Sequence, residues 1–204
     1  MKKIILLVLI LVSAPAVVFS QSKEIKQKFY YYTDNEVYKV DQDNIIVSKV
    51  INNLPGTAEE IYFGIKHFFT MNYRDGNSVI QTDDKDAGVI IGKGLFKRFF
   101  ECRYMGLQTI EWSAYHTLRV DIKDGRVRII CSANIMEYEF TATHPYRKYD
   151  YYIVEAAPIT NERKIDKGKQ TEALVRLVDN MLQIVDKAEN VVKLGSSSSA
   201  SEDW

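Results

Sequence analysis

The stretch from Tyr115 to Cys131, YHTLRVDIKDGRVRIIC, limits the possible folds more than any other part of this chain. Leu118, Val120 and Ile122 alternate with Arg119, Asp121 and Lys123. A period of two with one apolar and one charged set describes a strand with one dry face and one wet face. Asp124-Gly125 then separates this run from a second alternating run, in which Val127, Ile129 and Cys131 share a face. Asp-Gly between two such runs is the strongest short hairpin signal. The chain therefore builds an antiparallel sheet whose apolar face must be covered by something else.

Two segments offer the cover. Near the C-terminus, Leu174, Val178, Met181, Val185, Ala188 and Val192 follow a three-four spacing, with Glu172, Arg176, Asp179, Lys187 and Lys193 on the rest of the wheel. This predicts an amphipathic helix from about 168 to 194. Earlier, Pro55-Gly56 makes a turn, and Thr57 with Glu60 makes a capping box. Ile61, Ile65, Phe68 and Phe69 then recur at helical spacing, predicting a helix from about 57 to 71. Strand-like runs precede that helix (EVYKV and NIIVSKVI). Others follow it (SVIQT, GVIIGKGLFKRFFECRYM and RVRIICSANIMEYEF), and YRKYDYYIVEA reads as a further or edge strand.

The ends read differently. Lys2, Lys3, an apolar run from Ile4 to Val12 and the small-x-small pattern Val18-Phe19-Ser20 have the layout of a signal peptide over residues 1–20. The chain is therefore expected to be exported, to the periplasm or beyond, with no membrane span in the mature part. Residues 21–35 are charged and Tyr-rich without a clear period and read as a loose segment; residues 195–204 read as a disordered Ser-rich tail. The 27 basic and 27 acidic residues balance, so no basic field attracts nucleic acid, and none is expected as a partner. Cys102 and Cys131 are too few for a disulfide framework. Export permits one bridge, and both a bridge and two free thiols remain open.

The glycines of DDKDAGVIIGKGLF, residues 83–96, raise the question of a ligand loop. A phosphate loop needs G-x-x-x-x-G-K-[ST]. Gly88 to Gly92 is one residue short, and Gly94 stands where the hydroxyl residue belongs. The dinucleotide fingerprint fails because Lys97 replaces its third glycine, and a calcium loop framed from Asp84 would place Val89 at its turn glycine. A bent strand is the better reading. Gly92 and Gly94 are two apart and share a face, so they let a helix approach the backbone closely. They are read as structural, allowing the sheet to wrap around the C-terminal helix, with Asp124 and Gly125 as the structural hairpin turn.

At these residues the sequence resembles a family of bacterial exported domains of unknown function, DUF4468. VIQTDDKDAGVIIGKGLF and LRVDIKDGRVRI carry the resemblance, supported by NNLPGTAEEIYFGIKHFF, over about residues 36–193. It implies an α+β, TBP-like β-α-β(4)-α fold, here over residues 36–194, with a curved antiparallel sheet packed on the long C-terminal helix. It brings no catalytic residues with it.

The chemistry-bearing residues are scattered. His67, His116 and His144 make no metal-ligand spacing with each other or with the cysteines. Asp83, Asp84 and Asp86 read as a solvated turn. No catalytic residue, metal or cofactor is expected. Aromatic and basic residues mix in FKRFFECRYM and HPYRKYDYY, and a Tyr-rich uncovered sheet face suits a protein, peptide or glycan. The expected function is an exported, non-catalytic binding or envelope-associated module, with Arg119, Tyr146, Arg147, Tyr149 and Tyr151 as candidate contacts on that face. The alternative is a carrier of a small apolar ligand held between the sheet and the C-terminal helix.

Overall fold

The computed structural model describes residues 23–73, 79–104, 108–141, 147–152 and 168–195. The signal segment, Tyr146, His144 and the Ser-rich tail lie outside them. In chain order the described elements are α1 (23–34), β1 (Lys39–Asp41), β2 (Asn44–Asn52), α2 (Ala58–Asn72), β3 (Ile80–Asp84), β4 (Val89–Tyr104), β5 (Gln108–Lys123), β6 (Arg126–Ala133), β7 (Ile135–Phe140), β8 (Arg147–Tyr152) and α3 (Gly168–Gly195). The strands form one antiparallel sheet in the order β1-β2-β6-β5-β4-β3, with β7 paired to β5 beyond β6 and β8 paired to β7. This is the curved antiparallel sheet with a long C-terminal helix packed on it that the sequence implies.

The hairpin reading holds residue by residue. Lys123 pairs Arg126, so Asp124 and Gly125 alone make the turn, and Gly125 takes the left-handed conformation with φ +66°. Alternation runs the whole length of β5: Ile110, Trp112, Ala114, His116, Leu118, Val120 and Ile122 are all buried. Val127, Ile129, Cys131 and Ala133 of β6 and Ile45, Val47 and Ile51 of β2 extend the dry face.

Both predicted helices cover it. Thr57 caps α2: its backbone N–H donates to the Glu60 carboxylate (2.8 Å), and its hydroxyl accepts from the Glu60 N–H (3.3 Å). Asp124 of the hairpin turn adds to the cap by accepting from the Ala58 N–H (3.0 Å). Ile61, Ile65, Phe68 and Phe69 are buried as predicted, while His67 is exposed. On α3 the six residues of the predicted stripe expose no more than 1% of their surface, as does each of Val175 and Leu177. A ligand-sized void beside them would expose their surface to it, so the described layer between α3 and the sheet is solid.

Three expectations need correcting. Residues 23–34 are helical, not loose: Ile25, Phe29 and Tyr32 are buried in the common core, and Tyr32 and Lys28 both bind Asp179 of α3. Their period escapes a reading of the segment alone because the buried positions are interleaved with lysines and exposed tyrosines. The glycines also serve a different helix. A Cβ on Gly92 would fall under 3.0 Å from the Phe69 ring, and one on Gly94 under 3.0 Å from the Tyr73 and His116 rings. They admit the C-terminal end of α2, not α3. The third correction concerns RVRIICSANIMEYEF, which breaks at Asn134 into β6 and β7.

The cysteine question is also resolved. Cys102 pairs Ile110 and Cys131 pairs Leu118, eight residues further along β5, which is roughly 26 Å of strand. A disulfide needs Cα atoms about 4.4–6.8 Å apart. Both thiols are buried and free.

Candidate functional site

All odd-numbered residues of β5 from Thr109 to Lys123 face away from the helices, and no described element covers them. Arg119 belongs to this face, as expected. Its Nε donates to Asp121 Oδ1 (2.7 Å), while Arg128 donates to Asp121 Oδ2 from Nε (2.8 Å). Burial pushes the Asp121 carboxyl up, but Arg128 and Arg119 outweigh it and hold it below the usual carboxylate range. The three side chains thus satisfy one another.

Tyr149 of β8 does not join Arg119. Positions 147, 149 and 151 pair Phe140, Tyr138 and Met136. Those three in turn pair Ile110, Trp112 and Ala114, which are buried on the helix side. Directly paired residues share a face, so Tyr149, opposite Tyr138, falls on the helix side, at the sheet margin. The Tyr149 ring stacks on Tyr138 (5.1 Å, 17°) and meets Phe140 edge-on (6.0 Å). A one-residue slip in register would have moved it to the other face.

What the uncovered face does present is Leu95 and Tyr115. They are direct cross-strand partners, 42% and 55% exposed. The alternation that buries Leu118 points to Tyr115 when carried three residues back, because it leaves an aromatic ring on the wet side. Two irregularities frame the pair. In β4, Lys97, Arg98 and Phe99 stand opposite Ser113 alone, with Arg98 at φ +52° and its N–H bonded to the Ser113 hydroxyl (3.0 Å). Between β6 and β7, residues 133–135 stand opposite Tyr115 and His116. Such bulges re-aim side chains and open the sheet locally.

A hollow lies on each side of the Tyr115 ring. One, of about 150 Å³, is lined by Leu95, Lys97, Glu111, Ser113, Glu137 and Glu139 among others. Arg98 neutralises Glu111 there (2.6 Å). The other, of about 360 Å³, is lined by Asn44, Lys93, Thr117, Ser132 and Asn134, with Tyr115 as a wall and His116 and Ala133 behind.

His116 is 4% exposed. Its Nε2 lies 2.9 Å from the Tyr73 hydroxyl, its ring stacks on Phe96 (3.8 Å), and its Nδ1 has no partner. Burial pushes its pKa down to about 4, so it is neutral at ordinary pH. Burial likewise pushes both thiols up, away from the reactive thiolate. Among the described residues no group of three or more His, Cys, Asp or Glu is placed to hold a metal ion, and no helix is long and apolar enough to cross a membrane.

Comparison with known proteins agrees with this architecture. A TBP-like protein from Parabacteroides distasonis ATCC 8503 superposes with a TM-score of 0.50 at 15% identity, covering 74% of this chain and 97% of that one. A DUF4468 family protein from Bacteroides ovatus ATCC 8483 gives 0.53 at 16% identity, covering 74% and 90%. At such identities the likeness is one of fold. A comparison with curated proteins finds no match. Residues 48–135, from within β2 into β7, match the family described as "Domain of unknown function (DUF4468) with TBP-like fold", the family that the sequence resembles.

Proposed function

We propose that this chain is an exported, non-catalytic binding module whose working surface is the uncovered face of the sheet. The observation that carries this reading is the Leu95–Tyr115 pair, an aliphatic and an aromatic side chain held exposed at the middle of that face with a hollow on either side. Exposed aromatic anchors beside concave surface are what recognition sites offer. The signal-like residues 1–20 support export. A neutral buried histidine and two thiols shifted away from ionisation support a non-catalytic role. The tightly filled layer under α3 weighs against an apolar-ligand carrier.

The partner class remains a protein, peptide or glycan of the envelope, now met at Tyr115 and not at β8. The mature chain, immobilised, should retain a defined species from envelope extract. A Leu95→Ala/Tyr115→Ala variant should lose most of it with an unchanged melting temperature, whereas Tyr149→Ala should keep it. Equal retention by all three proteins rejects this placement.

A further inference from the structure

The chain is neutral as a whole, yet its charge is unevenly laid out on the uncovered face. From Thr117 to Lys123 the strand register sets rows of side chains across that face, from β3 and β4 through β5 and β6 to β2 and β1. Lys39, Lys93, Arg119, Lys123, Arg126 and Arg128 stand on these rows, and the carboxylates among them are Asp84 and Asp121. Asp84 accepts from the Ala87 N–H of its own turn (2.9 Å), and Asp121 is shared by two arginines. Lys39, Lys93, Lys123 and Arg126 are exposed and have no ion pair with a described residue. Lys123 and Arg126 are direct cross-strand partners, and like charges so placed repel and destabilise a sheet. Two features therefore coincide: an excess of cations on rigid neighbouring strands, and a like-charge pair that the sheet keeps although it opposes folding.

The arrangement selects a partner. Asp121 holds Arg119 through Nε (2.7 Å) and Arg128 through Nε and an Nη (2.8 and 2.6 Å), so both guanidinium groups are fixed on the face with N–H groups to spare. Fixed guanidinium forks suit carboxylates. Aliphatic side chains lie between the cations. Ile91 and Ile130 flank Arg119 on either side, both partly exposed, and Val50, 44% exposed, pairs Arg128. The Leu95–Tyr115 pair borders the row of Lys93 and Thr117. A polysaccharide or nucleic acid brings charge but no aliphatic side chains to these positions, whereas a polypeptide can alternate the two. We infer that the part of the uncovered face toward the β5–β6 hairpin docks an acidic segment of a protein partner. Its carboxylates meet the cationic rows, and its apolar side chains meet Ile91, Ile130 and Leu95. The inference rests on the uncovered face being the binding face, and it names the partner class for that face. Opposite charge then also steers the encounter.

The test is fluorescence anisotropy of short labelled peptides with the mature chain: one alternates glutamate with leucine, one lysine with leucine and one glutamate with serine. Heparin and phosphatidylglycerol vesicles serve as competitors. The glutamate–leucine peptide should bind saturably, and about tenfold more weakly when salt is raised from about 0.05 M to about 0.5 M, because exposed charges are screened. The lysine–leucine peptide should not bind, and the glutamate–serine peptide should bind several-fold more weakly. Lys123→Gln/Arg126→Gln should weaken the glutamate–leucine peptide about fivefold, as the loss of two exposed ion pairs does, while the melting temperature stays or rises because the repulsion is relieved. Lys26→Gln/Lys187→Gln, which takes as much charge from exposed positions of α1 and α3, should bind like the wild type. No saturable binding, insensitivity to salt, or equal weakening by both variants overturns the assignment. Tighter binding of heparin or of the vesicles than of the peptide would overturn the protein partner in favour of a glycan or a membrane. Envelope retention lost in Leu95→Ala/Tyr115→Ala but intact in Lys123→Gln/Arg126→Gln would overturn this inference alone and leave the wider face standing.

Discussion

Gly92 lies against Phe69, a ring with no exposed surface, and Gly94 lies against Tyr73 and His116. Any side chain at either position forces one of these rings to move. Gly92→Ala should therefore destabilise by about 1–3 kcal/mol, as overpacked cores do, lowering the melting midpoint by about 2–4 °C per kcal/mol in a chain of this size. Gly94→Val should do the same, and calorimetry on both variants checks it. His116 gives a second prediction. Its pKa falls from 6.5 unfolded to about 4 folded, so between those values the unfolded chain binds the extra proton. Stability is then full above pH 6.5, declines as pH falls, and has lost about 3 kcal/mol by pH 4. Denaturant titrations at pH 7 and pH 4.5 should show this loss in the wild type and much less of it in His116→Gln.

At the scale of elements, the hairpin turn and α2 stabilise each other. Asp124 turns β5 into β6 and also caps α2 through Ala58, and Leu54 N–H bonds the Gly125 carbonyl (3.1 Å). A carboxylate at a helix N-terminus also meets the positive end of the helix dipole. Asp124→Ala should cost about 0.5–2 kcal/mol, the range for lost N-caps, and should speed hydrogen exchange at residues 58–60 more than in α3. An acceleration at residues 58–60 no larger than that in α3 would show that the turn does not hold the helix. The capping box, the buried stripe of α2 and that of α3 were all legible in the sequence because each is a local pattern of period 3.6. Helix α1 was not legible, since Ile25, Phe29 and Tyr32 acquire their meaning from Asp179 and the core they meet, about 150 positions away.

Across the whole molecule, topology separates groups that composition alone might join. Cys102 and Cys131 pair positions eight residues apart on β5, from different neighbouring strands. The purified mature chain should contain two free thiols after export. These should react with a thiol reagent quickly in denaturant and at least a hundredfold more slowly when folded. A mass two units lower, marking an intramolecular bridge, would contradict the register. The same register divides the predicted binding residues, leaving Arg119 on the uncovered face and putting Tyr149 beside Tyr138 on the other. It also brings Asn44, Lys93, Thr117 and Ser132 from four strands to one hollow, a grouping that no spacing in the chain foretells.

From sequence alone came the antiparallel hairpin, the dry face of β5 and β6, the two amphipathic helices, the cap at Thr57 and the resemblance to a TBP-like family. Each depends on neighbours within a few residues, where backbone geometry fixes which side chains share a face. Tertiary structure alone decided which helix the glycines admit, the separation of the thiols, the phase of β8 and the convergence around Tyr115. Those depend on strand register, which is set by pairing between distant segments and changes every outward side chain with a shift of one residue.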